Sequence, residues 1–168
     1  SFAGGNGSLA LGDLSFAFGN GATAFANQSF ATGFGVQASG AQSFVSGFST
    51  AANGGQSFAI GNGTNANSRG EVAMGNYNTN LTAASPNGNN TTDRVLSVGI
   101  GISAATSADA LEVFKDGTIY ADELDIVEIT DNKQLVTKEY VDTNLASSSG
   151  GVLEEITEGG NTCLLYTS

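Results

Sequence analysis

The chain has 168 residues with 24 Gly, one Pro, no His and no Trp, and 12% of its residues are charged. This composition is more typical of a repetitive β-architecture than of an enzyme. A formal net charge of −11 with only five Lys and Arg excludes the basic surface that nucleic-acid binding needs. No apolar run approaches the roughly 20 residues of a membrane helix, so we expect any membrane anchor to lie in a part of the parent protein outside this sequence.

A fourteen-residue repeat organises residues 1 to 75. Five units begin with Ser-Phe, and a sixth begins with Glu71 and Val72. Every unit has Gly at its fifth position, and each complete unit has Ala at its tenth. Such a strict period is a structural signal, because it indicates one supersecondary unit stacked on the next. The turn after the first strand reads Gly-Asn-Gly in three units, a pattern that favours positive φ angles rather than a phosphate loop.

The length of one unit matches one closed coil of a β-solenoid. Two strands of about five residues, at roughly 3.3 Å per residue, and two tight turns use about fourteen residues. Because side chains alternate along a strand, Phe lies on one face and Ala on the other. We therefore predict a thin roll with a small-residue interior. The predicted interior residues are Ala3, Ala10, Ala17, Ala24, Ala31, Ala38, Ala52, Ala59, Ala66 and Ala73.

The phenylalanine column is predicted to run along the outside of the roll. Coils about 4.8 Å apart would place the rings in one stripe, and each ring contributes about 150 Å² or more. A stripe of this size exceeds what soluble monomers usually expose, so we predict that it is an oligomer interface. In the alternative, the rings fill a monomeric solenoid while Ala and Gly face solvent. The predicted interface residues are Phe2, Phe16, Phe30, Phe44, Phe58 and Val72.

The repeat resembles that of a known family. The segment from Ser57 to Gly61, Ser-Phe-Ala-Ile-Gly, and the segment from Val72 to Gly75, Val-Ala-Met-Gly, resemble the Ser-Val-Ala-Ile-Gly head repeat of YadA-like trimeric autotransporter adhesins. The resemblance covers about the first half of the chain. It implies an all-β fold with a left-handed parallel β-roll in each chain, and a homotrimer. Similar repeats occur in bacteriophage tail fibres, and the chain differs from the family in using Phe where Val is usual.

The ninth and eleventh positions of the units vary most and are predicted to point away from the interior. We therefore expect ligand contacts on this strand, with Asn53, Asn65 and Asn67 as the candidate ligand-facing residues. An ice-binding solenoid is an alternative that needs a flat column of Thr. The best such column is too mixed, since it reads Ser8, Ala22, Val36, Thr50 and Thr64.

The repeat ends before residue 81, and the predicted head spans residues 1–80. The polar residues 81–92, which include Pro86, predict a loop. Residues 93–130 predict a β-rich connector with a strand from Arg94 to Ile102. Within the connector, residues 111–114 and 118–121 flank a turn at Gly117 and predict a hairpin.

Residues 131–148 predict a short helix, with Asp131 and Gln134 as its cap. So short a helix cannot hold alone in water, so we expect it to pack against its symmetry mates. Within it, residues 135–142 are similar to a segment common in tail-fibre-like proteins. Residues 149–168 predict a linker and the truncated start of another module. The last six residues, 163–168, resemble the translation of a sequencing adapter, so Cys163 is assigned no role.

Catalysis is disfavoured by the arrangement of the acidic residues. In the repeats only Asp13 and Glu71 are acidic, and coils at about 4.8 Å spacing place them about 19 Å apart, beyond the roughly 5 to 9.5 Å of a glycosidase pair. With no His and one Cys, a nucleophile lacks a base. Acidic residues at 122–128, namely Asp122, Glu123, Asp125 and Glu128, are interpreted as a solvated face rather than a calcium site. We predict no enzyme activity, no metal and no cofactor.

These features favour a structural and adhesive function. The first hypothesis is the head of a homotrimeric extracellular fibre at the bacterial cell surface or outer membrane, attaching to a host cell-surface or matrix component. The alternative is a segment of a virion tail fibre that binds a host receptor. A tailspike hydrolase is the enzymatic alternative, because tailspikes also use trimeric parallel β-folds.

Overall fold

A computed structural model describes residues 1–121 and, in addition, the backbone of two strands at Leu153–Glu158 and Asn161–Tyr166. The chain divides into two compact units, Ser1–Glu123 and Leu124–Ser168, which are described separately. The described residues form strands, turns and loops and contain no helix. Accordingly, none of them belongs to a helix that could cross a membrane.

The repeats form alternating long and short strands, one of each per coil. The strands are β1 (Phe2–Asn6), β2 (Leu9–Ala10), β3 (Phe16–Asn20), β4 (Thr23–Ala24), β5 (Phe30–Phe34), β6 (Gln37–Ala38), β7 (Phe44–Phe48), β8 (Ala51–Ala52), β9 (Phe58–Asn62), β10 (Asn65–Ala66) and β11 (Val72–Asn76). The long strands belong to one sheet, sheet A, and the short strands to a second, sheet B. Together they make five complete coils, and β11 starts a sixth.

Successive coils pair in parallel and in register. Phe16 of β3 lies opposite Phe2 below it and Phe30 above it, and the same fourteen-residue step joins every pair of long strands up to β11. The short strands follow the same rule. The predicted parallel β-solenoid is therefore confirmed.

The interior of the roll is built from small side chains. Along β3, Ala17 is fully buried, whereas Phe16 is half-buried and Phe18 is exposed. The rings therefore point outward, which excludes the alternative of a Phe-filled solenoid. The fully buried alanines that the sequence placed inside are Ala17, Ala24, Ala31, Ala38, Ala52, Ala59, Ala66 and Ala73. Ala10 is half-buried and Ala3 is exposed, because both lie in the first coil, which has no coil packed on its outer side.

Two further columns complete the interior. The mixed column weighed for ice binding lies inside, since Ala22, Val36, Thr50 and Thr64 are all buried. It therefore offers no surface to ice. The Ser that opens each unit is also buried where it begins the second to fifth coils. In the second coil the Ser15 hydroxyl donates to the Gly12 carbonyl at 2.6 Å, and in the third the Ser29 hydroxyl donates to the Ala26 carbonyl at 2.6 Å.

The glycine at the fifth position is required by the spacing of the coils. Gly47 has φ +132°, and a Cβ atom there would lie 1.9 Å from the carbonyl oxygen of Gly61 in the next coil. Gly33 is equivalent, with a Cβ position 2.1 Å from the Gly47 oxygen. Carbon and oxygen cannot approach this closely, so a side chain at this position would push neighbouring coils apart.

Replacing Gly47 by Ala is therefore expected to prevent folding or to lower the free energy of unfolding by several kcal/mol, on the order of the largest single-residue effects. Gly35→Ala is the matched control. Gly35 also has a positive φ of +61°, but the nearest atom to its Cβ position is the Ser49 Oγ at 3.8 Å. Its expected cost is about 1–2 kcal/mol, from the left-handed backbone alone. Urea denaturation of both variants measures the difference, and equal losses would contradict the steric argument.

The connector continues sheet A. Strand β12 (Arg94–Ile100) pairs in parallel with β11, with Val72 opposite Leu96, and then β13 (Asp109–Phe114) and β14 (Ile119–Tyr120) add antiparallel strands. The predicted strand and hairpin are confirmed, and Gly117 in the hairpin turn has φ +91°. Sheet A thus has nine strands and runs from the first coil through the connector without a break.

The second unit is described only by its two strands. Strand β15 (Leu153–Glu158) pairs antiparallel with β16 (Asn161–Tyr166), and Ile156 lies opposite Cys163. Part of the segment that resembles an adapter translation thus lies in a strand. The helix predicted at 131–148 and the acidic residues at 122–128 lie outside the described residues.

Candidate functional site

The outer face of sheet A carries the predicted interface residues. This face comprises the side chains at the second, fourth and sixth positions of each coil. The rings of Phe2, Phe16, Phe30, Phe44 and Phe58 stack one on the next, with centroids 4.7 to 5.1 Å apart and planes within 16° of parallel. Val72 continues the column and is half-buried. Parallel in-register pairing causes this stacking, because it places each ring directly above its equivalent.

Two neighbouring columns widen the apolar face. Phe34 and Phe48 stack at 5.0 Å at the sixth position and are each 49% exposed. At the fourth position Phe18, Ile60 and Met74 are exposed. Sequence reasoning missed both columns because Thr, Ser, Gly and Asn interrupt them. The fourth-position column could have been found from the sequence, because residues two apart on a strand share a face and the second-position Phe was already placed outside.

The face extends beyond the repeats. The pairing of β12 with β11 places Leu96 after Val72 in the second-position column, and Val98 after Met74 in the fourth-position column. Seven parallel strands therefore share one apolar surface. Monomeric proteins rarely expose an apolar surface that extends over seven strands. Large exposed apolar surfaces mark interaction sites.

The candidate ligand-facing asparagines lie on the opposite side of the roll, in and beside sheet B. Asn53 is exposed, and its amide donates to the Asn67 Oδ1 at 2.8 Å. Asn67 is half-buried because its own amide donates to the Asn80 Oδ1 at 2.7 Å and to the Leu81 carbonyl at 2.8 Å. Asn65 is also half-buried. The structure thus leaves Asn53 on the surface and commits Asn67 to holding the loop that follows the repeats.

A ladder of glutamine side chains runs along the corner at the fourteenth position, and Arg69, at the thirteenth position of the fifth unit, extends it. Gln42 donates to Gln28 at 2.9 Å, Gln56 donates to Gln42 at 3.1 Å, and Arg69 donates to Gln56 at 3.0 Å. The three glutamines have φ between +58° and +60°, a left-handed turn conformation. Sequence reasoning missed this ladder, although its signal was Gln recurring at one position of three successive units.

A buried charge cluster closes the end of the roll. Arg94 has no exposed surface, and its guanidinium lies 3.0 Å from Glu71, 3.2 Å from Asp109 and 2.8 Å from Glu112. The contact with Glu71 is an ion pair between the Arg94 Nε and the Glu71 Oε1. Burial raises the pKa of Glu71, whereas the charge of Arg94 and backbone hydrogen bonds oppose that increase. Glu71 stands where five other units have Ser, so the cluster replaces the small-residue interior.

Side chains also cover the open edge of sheet B. The amide of Asn78 accepts from the Asn65 N–H at 2.7 Å and donates to the Asn65 carbonyl at 3.0 Å. The side-chain amide of Asn78 thus makes the two hydrogen bonds that the backbone of a further strand would make. The Glu71 carboxylate accepts from the N–H groups of Asn67 and Ser68 at 2.7 and 2.8 Å. Capping of this kind prevents another chain from pairing with the edge. Sequence reasoning treated Glu71 as the start of the sixth unit and as a carboxylate weighed for catalysis, and Arg94 as the start of a strand, but did not pair them.

The carboxylates weighed for catalysis are not brought together. Asp13 is exposed in the turn after the first coil, whereas Glu71 is buried at the far end of the roll. The acidic neighbours of Glu71, namely Asp109 and Glu112, are bridged by Arg94 rather than directed at a cleft. The part of the chain that the structure describes holds no group of three or more acidic, His or Cys side chains suited to a metal ion.

Comparison of the sequence with protein-family models finds no matching family. A search of curated proteins finds no match either. The function is therefore inferred from the repeat residues and from two features of the described residues: the apolar outer face of sheet A and the capped end of the roll.

Proposed function

We propose that this chain is the head and connector of a homotrimeric extracellular fibre with an adhesive function. The single observation that carries the proposal is the continuous apolar outer face of sheet A. The interior of each roll consists of Ala, Gly, Ser and Thr with two Val, so a single chain buries little apolar area. Association through the outer face would supply the missing burial, at roughly 25 cal/mol per Å² of apolar surface.

The stacking of the coils suits cyclic symmetry about an axis parallel to the roll. Such an axis keeps equivalent coils of all chains at the same height, so that Phe30 of one chain meets Phe30 of the others. The resemblance to YadA-like head repeats supports three chains and an extracellular location at the bacterial surface. The surfaces turned away from the axis carry ladders of Asn and Gln from the end of the second coil to the fifth, and exposed Leu and Phe side chains along the first two coils. Both parts are free to contact a host cell or matrix component.

A virion tail fibre is the second candidate. It is favoured by the similarity of residues 135–142 to a segment common in tail-fibre-like proteins. Both candidates use the same trimer, but they differ in the surface to which the trimer attaches. A host receptor on a bacterial cell is the target of a tail fibre, whereas a matrix or host-cell component is the target of an adhesin.

Sedimentation equilibrium tests the trimer, and we expect three times the mass of the chain. A monomeric mass at micromolar concentration would contradict the proposal. The labelled protein is then incubated with immobilised collagen, fibronectin and laminin, and separately with a panel of bacterial cells. Binding to a matrix protein supports the adhesin, and binding to bacterial cells alone supports the tail fibre.

A further inference from the structure

A cleft lies beside the capped end of the roll, at the corner that follows the long strands of sheet A. Its volume is about 230 Å³, and its lining includes Ser49, Asn65, Tyr77, Asn80 and Ser107. No charged side chain lines it. The lining therefore combines one aromatic ring with hydroxyl and amide groups, and the volume suits a ligand of roughly the size of one sugar ring.

Tyr77 occupies a backbone position that suits glycine. It stands at the seventh position of its unit, where four other units have Gly, and its φ is +38°. This region is disfavoured for a bulky side chain, although the corners of this roll hold five other non-Gly residues at positive φ, including Ser49 at the same position of its unit. The ring lies against Gly63, since a Cβ atom at Gly63 would be 2.5 Å from two ring carbons. A glycine at residue 77 would fit this backbone without strain, so the turn itself does not require the Tyr77 ring.

The cleft also contains polar groups that the fold does not use. The hydroxyl groups of Ser49, Tyr77 and Ser107 make no hydrogen bond with any other described residue. The Asn80 side-chain carbonyl accepts from Asn67, which fixes the amide and leaves its N–H₂ group unpaired among the described residues. Asn78, by contrast, uses both amide atoms on Asn65 and Ser97 and forms a rigid floor. The Asn80 amide is thus held in place, and three hydroxyl groups, of which those of Ser49 and Ser107 are on the exposed rim, lie with it around one aromatic ring. A few polar groups converging beside an apolar surface are characteristic of ligand sites.

We propose that this cleft binds one residue of a neutral saccharide. A tyrosine ring presents an apolar face to the C–H groups of a pyranose, and amide and hydroxyl groups pair with its hydroxyls. The uncharged lining and the net charge of −11 disfavour anionic sugars and phosphates. The inference rests on the proposed adhesive function and gives it a ligand class.

The test uses saturation-transfer NMR with methyl glycosides of glucose, galactose, N-acetylglucosamine and N-acetylgalactosamine, and with sialic acid as the anionic comparison. We expect at least one neutral glycoside to give a signal with the unchanged protein. Tyr77→Gly removes the ring at a position where Gly is compatible with the backbone, and we expect that signal to be lost. Leu14→Gly is the matched control, because Leu14 also has a positive φ, +55°, but does not line the cleft. It should retain the full signal.

The proposal is overturned if no neutral glycoside gives a signal, if sialic acid alone does, or if Tyr77→Gly retains the signal. Circular dichroism checks that Tyr77→Gly folds. If it does not, Asn80→Ala takes its place, with loss of the signal supporting the site and retention overturning it. Sedimentation of the same samples separates this failure from failure of the proposed function. A trimer that binds a surface but no glycoside refutes only the cleft.

Discussion

Replacing both Phe30 and Phe44 by Ser is expected to convert the proposed trimer into unfolded or aggregated chains. Loss of one buried Phe ring typically costs about 3 to 5 kcal/mol, and every chain of the proposed assembly would lose its rings at the same two levels. The change also breaks the ring stack at its centre, where Phe30 and Phe44 lie 5.0 Å apart. In such a chain, folding and assembly form one equilibrium. Weakening the interface therefore lowers the fraction of folded protein.

The matched control for this pair is Leu11→Ser with Phe25→Ser. Both residues are exposed apolar side chains at the eleventh position of their coils, on the opposite side of the roll. We expect this variant to remain folded and trimeric. Equilibrium sedimentation and far-UV circular dichroism distinguish the cases. A compact, folded monomer from the Phe30 and Phe44 variant would refute the interface assignment, as would loss of the trimer in the control.

Arg94→Ala is expected to lower the free energy of unfolding by about 3–5 kcal/mol. Removing one partner of a buried ion pair leaves the other charge without compensation. In this case Glu71 and Asp109 would remain buried with no cation near them. The surface control is Arg69→Ala, because Arg69 is partly exposed and makes one hydrogen bond to an exposed Gln56. Its expected cost is within about 1 kcal/mol.

The two arginine variants should also differ in their response to pH. Burial already raises the pKa of Glu71, and loss of the Arg94 charge raises it further. A carboxyl whose pKa is raised by folding contributes stability below its unfolded pKa and loses it as the pH rises through the folded value. The loss in free energy of unfolding caused by Arg94→Ala should therefore be largest at neutral pH and become smaller as the solution is acidified. Urea denaturation at several pH values measures it, and a deficit independent of pH would contradict the charge argument.

The sequence alone was sufficient for the parts of the fold that repeat. A period of fourteen residues, with Phe and Ala on adjacent positions, predicts both the coil and which face is inside. Parallel in-register pairing then follows, because it is the arrangement that superposes identical positions. Gly117 between two apolar segments similarly predicted the hairpin of the connector. In each case a local pattern determined the structure.

The end of the roll was not predictable in the same way, because it depends on residues far apart in the chain. Glu71 meets Arg94 only when β12 pairs with β11, and Asn78 replaces a strand only where sheet B ends. The cleft likewise brings Ser49 to Ser107 through that pairing. Glu71 and Ser49 belong to repeat units, but Arg94 and Ser107, which they meet, lie outside the repeat, so the period could not reveal them.

The capped end of the roll also bears on how such a protein evolves in length. Asn78 and Glu71 bond to the last short strand and its turn, whereas a coil in the middle of the stack, such as the third, pairs with the coil on either side of it. Duplication or deletion of one whole unit in the gene would leave both the cap and its docking strand intact. Each such event would change the reach of the head by about 4.8 Å, the spacing of paired strands. Recombination between near-identical units could thus change how far the molecule projects while every coil keeps the same structure.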